Sequence, residues 1–218
     1  MLKFSERTDS WNQMMLSPKK TAALHAKRKE LGFPDGLENF GTPILMTYLP
    51  LLLLVLALSG KLEFVYLAAV LFSLAATALG IFIVSFLFSL MAHLVASSLG
   101  GKAPLGRLYY MASLAAAPTF VFTIVINIAV LLIKSIMQAV SFPLAATGIL
   151  QMAGDLVAIS VSIYGFYLLT ISLAALYKFG RAKSVATWLA PAIVLLATGA
   201  ALFLADLFGI LKFLVKTL

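Results

Sequence analysis

The chain has no cysteine, which excludes disulfides, thiolate zinc sites, cysteine nucleophiles and palmitoylation, and leaves the redox compartment open. Charge is scarce as well. Asp, Glu, Lys and Arg make up 11% of 218 residues, against about 25% in ordinary soluble domains, so a soluble globular reading is excluded. Acidic residues number only 8, and no pair of them suits magnesium and a diphosphate. No Walker loop, HExxH, GxSxG or dinucleotide fingerprint after a strand occurs, so the sequence points to no enzyme and to no cofactor or metal. Ten-residue segments of alternating polarity are missing too, which excludes a transmembrane barrel.

What is present is hydrophobic. Apolar residues reach 62% and mean hydropathy is +1.06. Uncharged apolar runs of 18 or more residues recur, each long enough to cross roughly 30 Å of hydrocarbon as a helix. Helix is the form expected, because backbone polar groups in lipid must be satisfied within the segment. The fold class is therefore all-α, a polytopic helical membrane protein. Residues 1–41 form a polar, basic tail, and the polarity of the first 40 predicts no cleavable signal peptide. Residues 42–205 form the membrane domain, with spans at about 43–59, 66–98, 108–133, 156–177 and 185–205. Residues 206–218 form an amphipathic tail with Leu207, Ile210, Leu211 and Leu214 at helical spacing.

The uncharged run Phe64 to Leu99 decides the topology. At 1.5 Å per residue it is about 50 Å long, which is long for one span and short for two. Read as one helix, it puts the seven basic residues of the tail on the same side as Lys102 and Arg107 and as Lys178, Arg181 and Lys183. Only Lys61, Lys134, Lys212 and Lys216 then remain opposite. Two spans meeting near Gly80 would nearly abolish that asymmetry. The positive-inside rule thus favours five spans, with the N-terminus cytoplasmic and the C-terminus outside.

Within the tail, Ser17 is a candidate N-cap and Pro18 a first helical residue, while Gly32 and Pro34 supply a stop, so a short helix is expected over about Pro18 to Leu31. Its Lys19, Lys20, Lys27, Arg28 and Lys29 fit contact with anionic lipid headgroups, worth about 1 kcal/mol per basic residue near the surface. The alternative is a solvated juxtamembrane segment. Pro118 is expected near mid-depth of its span, and residues 134–154 at an interface, with Pro143 and Gly148 as breakers. Gly100 and Gly101 read as a helix cap and turn. Small residues such as Ala69, Ser73, Ala76 and Gly80 allow close helix packing, within the chain or in a homo-oligomer.

Ionisable or polar groups near hydrocarbon are candidate sites. Asn127, Lys134, Asp155 and Asp206 are the intramembrane set, with Lys134 expected to pair with Asp155 or Asp206 at the outer interface. His93, with no partner at metal-ligand spacing, is expected to pack and hydrogen-bond. The basic residues lie beside hydrophobic segments, so lipid is their counter-charge and no nucleic-acid partner is implied.

His93, Leu99, Gly100, Gly101, Lys102, Ala117 and Pro118, followed by Tyr164, Gly165, Tyr167, Leu168, Ala186, Trp188 and Pro191, resemble the Yip family of Ypt/Rab-interacting membrane proteins. The resemblance covers roughly Ser17 to Leu204 and marks His93, Gly100, Gly101, Lys102 and Pro118 as family motif. It implies a non-enzymatic, multispanning protein with lipid or membrane-protein partners. The short tail resembles bacterial and archaeal members, which implies a plasma (inner) membrane location and does not carry over a Rab-type GTPase partner. A small transporter or channel for lipid or solute, using Pro118 and Pro191 as bends beside Asn127 and Asp155, is the alternative.

Overall fold

The computed structural model describes residues 4–43, 45, 64–140 and 144–217. All regular structure among them is helical. Helices α1 (Phe4–Leu16), α2 (Pro18–His25) and α3 (residues 33–43) precede four long helices, α4 (Phe64–Ser98), α5 (Leu105–Ala139), α6 (Leu144–Tyr177) and α7 (Arg181–Thr217). Nearly all of the expected first span, with Pro50 and the Gly60 turn, lies outside the described residues.

Each long helix holds a stretch apolar enough to cross a membrane: Ala78–Ser98, Leu105–Lys134, Thr147–Tyr177 and Arg181–Ala201. The ambiguous uncharged run is one helix of 35 residues, about 52 Å long, which passes through Gly80 unbroken. Helix α5 likewise runs through buried Pro118 and on past Ile133 to Ala139, and α6 starts at Leu144 and carries Gly148 within it. Most of 134–154 is therefore helix. Gly148 does not act as a breaker, because a glycine costs a helix only about 1 kcal/mol and the flanking residues are good helix formers.

The long helices run antiparallel in sequence and form a ring in which α4 meets α5 and α7, and α6 meets α5 and α7. Glycines set the α5–α6 approach. A Cβ on Gly165 would lie 3.1 Å from Thr119 Oγ1, and one on Gly154 would lie 2.6 Å from Val130 Cγ2. One end of the ring is densely packed and the other is not. The buried core consists of Ala92, Ala96, Leu108–Ala115, Ala117, Leu168, Leu173 and Tyr177, all near the α4–α5 and α6–α7 hairpins. Beyond Thr119 on α5 and before Tyr164 on α6, large apolar side chains such as Phe122, Val125, Ile159 and Ile163 point outward, as bilayer-facing residues do.

The tail is neither solvated nor merely laid on the surface. Trp11, Met14, Ala22 and Leu31 are buried in one cluster with Tyr110, Met111, Leu114, Ala115, Ala117 and Leu168. Thr21 fixes the α1–α2 corner by donating its hydroxyl to the carbonyls of Gln13 and Ser17, 3.0 Å each. Ser17 precedes Pro18 as expected but makes no side-chain cap. Helix α2 stops at His25, short of the Leu31 expected from Gly32 and Pro34, and Arg107 of α5 donates to the Ala26 carbonyl just beyond it. A tertiary contact thus satisfies a carbonyl that a longer helix would have bonded internally.

Candidate interaction site at the basic end of the bundle

The α4–α5 turn is built by its glycines. Gly100 has φ +92°, a left-handed conformation that favours glycine, and Gly100 N–H donates to Ser97 O (3.0 Å) while Gly101 N–H donates to Ala96 O (2.8 Å). This pair of bonds is a Schellman cap. Gly101 is needed for a second reason. A Cβ there would sit 2.5 Å from Tyr177 Cδ1 and 2.9 Å from the Ala96 carbonyl. The ring of Tyr177 lies against the turn and stacks on Phe179, and its hydroxyl lies 3.4 Å from His93 Nδ1. His93 therefore packs and hydrogen-bonds at the foot of the opposite hairpin.

Lys183 closes the same junction. Its ammonium donates to Leu99 O at 3.4 Å and sits 5.7 Å from the centre of the Phe179 ring. The hairpins carrying Lys102 and Arg107, and Lys178, Arg181 and Lys183, are thus joined side by side.

Tail and bundle meet through polar pairs on one face of α5. The Tyr110 hydroxyl and His25 Nδ1 are 2.7 Å apart. Burial foremost, and then the nearby Arg28 guanidinium, push the His25 imidazole down to about 4. It is neutral at pH 7 and can accept the phenol proton. Trp11 Nε1 donates to Asn39 Oδ1 (3.4 Å), and Asn39 Nδ2 donates to Ser113 Oγ (3.1 Å). Arg7 pairs with Glu38, linking α1 to α3. Gly36 is pressed on α5, where a Cβ would meet Tyr109 Cδ1 at 2.5 Å and Tyr110 Cα at 3.1 Å. Deeper along α6, Tyr164 donates to the Met15 carbonyl at 2.7 Å. Lys19, Lys20, Lys27 and Lys29 remain exposed on the outer face of this layer, with Arg28 half-buried.

The sequence-level candidates separate into two groups. His93, Gly100, Gly101 and Lys102 gather at the hairpin junction, and Pro118 is buried further down α5. At the other end of the bundle, Lys134 does not bond Asp155 directly. Its Nζ donates to Gln151 Oε1 at 3.1 Å, and Gln151 Nε2 donates to Asp155 Oδ1 at 2.8 Å. Register is the reason, since Gly154 of α6 lies beside Val130 of α5 and one helical turn more brings Gln151 to Lys134. Asn127 is exposed and makes no hydrogen bond among the described residues, so it meets none of these groups. The side chain of Asp206 lies outside the described residues.

Sequence reasoning missed Tyr177, Tyr110 and His25. Tyr109 and Tyr110, at the start of α5, are buried at 0% and 2% exposure under α1–α3. The usable signal was a histidine buried in an otherwise basic tail, which has to find a polar partner.

No curated protein and no solved structure matches the chain. A family model described as the Yip1 domain matches residues 13–203, which takes in the docked tail from α1 onward, both hairpins and the greater part of α7. Proteins of that family are in general non-enzymatic membrane proteins. With four described helices apolar enough to span a bilayer and a family match over most of its length, the chain is a helical membrane protein that belongs to the Yip1 domain family.

Proposed function

We propose that this protein is a non-enzymatic, five-span membrane protein that acts by association with other membrane proteins or lipids, with the basic end of its bundle as the contact surface. The N-terminus and both basic hairpins are cytoplasmic in this reading, the C-terminus is outside, and the membrane is the plasma (inner) membrane of a prokaryotic cell. One observation carries the proposal. The docked tail and the two hairpins are fixed to one another by the His25–Tyr110, Arg107–Ala26 and Lys183–Leu99 contacts, so the cations lie at one end of a rigid platform. A preorganised surface loses less entropy on binding than a loose tail would.

Topology and role are tested separately. The absence of native cysteine makes single-cysteine labelling clean. Lys102→Cys and Lys178→Cys should resist an impermeant thiol reagent in intact cells and label after lysis, whereas exposed Val140→Cys should label from outside. The reverse pattern refutes the orientation. For the role, photocrosslinkers at Lys29 and Lys102 should capture a reproducible membrane-protein partner or a second copy. Solute or lipid flux in proteoliposomes, lost on Asn127→Ala, would instead establish the transporter reading.

A further inference from the structure

Between α2, α6 and the start of α7 lies an open groove of about 440 Å³. Its floor is Ile171, Ala174 and Ala175 of α6, Tyr167 stands at one end, and Lys19 and Arg181 line it from α2 and α7. The two cations are 162 positions apart in sequence and are brought together only by the docking of the tail. Neither makes an ion pair among the described residues. Polar groups along the same wall are otherwise occupied, because Thr170 accepts from Trp188 Nε1 at 2.8 Å and donates to Phe166 O.

We propose that this groove binds one anionic phospholipid, its phosphate held by Lys19 and Arg181 and the first part of its chains lying on the α6 floor. The inference rests on the reading of the basic end as a lipid- or protein-facing surface, and it names the occupant. Three features select a lipid. Unpaired cations demand an anion, which a zwitterionic headgroup satisfies poorly. An apolar floor beside them would stay wet under a free phosphate but is covered by methylenes. Size agrees as well, since at about 30 Å³ per water-sized group the groove holds about fifteen non-hydrogen atoms, a phosphoglycerol head with the beginnings of its chains. From Tyr167 to Ala175 the α6 floor extends about 12 Å along the helix axis, and on the Tyr167 side it leads to the bilayer-facing half of α6.

The test is thermal melting of the full chain in neutral detergent, titrated with phosphatidylglycerol, phosphatidylcholine or glycerol 3-phosphate. A ligand that binds only the folded state raises the melting temperature in proportion to its occupancy. Phosphatidylglycerol should stabilise saturably, with the other two inert. The Lys19→Gln/Arg181→Gln double variant should raise the half-saturating concentration at least tenfold, and so should Ala174→Trp, which fills the floor and keeps both charges. Lys29→Gln, an exposed cation outside the groove, should stay within twofold of wild type. Equal stabilisation by phosphatidylcholine or by glycerol 3-phosphate overturns the proposal, as does a Lys29→Gln effect as large as that of the double variant. Displacement of the lipid effect by a soluble acidic peptide would assign the surface to a protein partner and overturn it too. Loss of the lipid effect with partner crosslinking intact would refute the groove alone. An intact lipid effect without crosslinks would refute the protein-partner half of the proposed role.

Discussion

Trp11→Ala tests whether the tail is part of the folded protein. Trp11 is 6% exposed and packs in the cluster that joins α1 to α5 and α6. Truncating a buried Trp costs about 3–5 kcal/mol from lost burial and the cavity left behind. Its long hydrogen bond to Asn39 adds no more than about 1 kcal/mol. If α1–α3 open as a local unit, that energy falls on the docking equilibrium rather than on the whole bundle. At about 1.4 kcal/mol per factor of ten, the open population rises about 10²- to 10⁴-fold. Trypsin reads this directly. Cleavage after Lys19, Lys20, Lys27 and Arg28 tracks the open population when reclosing outpaces cutting, so initial rates in detergent or nanodiscs should rise until they reach that of a free peptide. Cleavage at Lys102 in the α4–α5 turn should be unchanged, and Leu24→Ala, at a side chain 49% exposed, should have little effect. A rise below threefold with Trp11→Ala would refute docking as described.

Acid should loosen the same contact. Burial lowers the docked His25 to about 4, while the undocked residue titrates near 6.5. The released form therefore takes up a proton first, so docking is strongest above about pH 6.5, weakens as pH falls towards 4, and changes no further below that. Melting curves across that window should show the decline for wild type and a flatter profile for His25→Gln; an unchanged slope would assign the effect elsewhere. Gly101→Ala should lower the melting temperature, at a cost of about 1–3 kcal/mol, because its Cβ meets the Tyr177 ring and the Ala96 carbonyl, whereas Gly32→Ala, with nothing within 4 Å, should be near neutral. Double-mutant cycles between Lys134→Gln and Asp155→Asn should give a coupling of about 0.6 kcal/mol that disappears in a Gln151→Leu background. Persistence of the coupling without Gln151 would show that the two charges act directly.

The long helices were legible because uncharged runs in a bilayer have one structural outcome, and charge asymmetry sufficed to expect that Phe64 to Leu99 would not divide at Gly80. The Gly100–Gly101 cap was legible from local chemistry alone. Docking of the tail was not. Its buried apolar residues, Trp11, Met14, Ala22 and Leu31, are spread over two helices and a turn, so neither helix shows a continuous stripe. Their partners include small residues on α5, which read equally well as general helix packing. The end of α2 was misplaced because Arg107, 81 positions away, takes the Ala26 carbonyl, and no window around Gly32 contains that information. Gln151 went unassigned as a bridge for a related reason. A neutral amide becomes visible as a link between two charges only when the helix register is known.

The Tyr164–Met15 bond joins residues 149 positions apart. Chain growth at about 5–20 residues per second puts about 7–30 s between the synthesis of those two partners. Throughout that interval the α6 side of the cluster that buries Trp11 and Met14 has not yet been made. The tail precedes every helix it docks on, so the platform can be completed only after α5, α6 and the start of α7 have followed it. A chain stalled before α6 would present an exposed Trp- and Met-bearing segment to the chaperones that patrol nascent chains, which makes correct insertion of the hairpins a condition for hiding it.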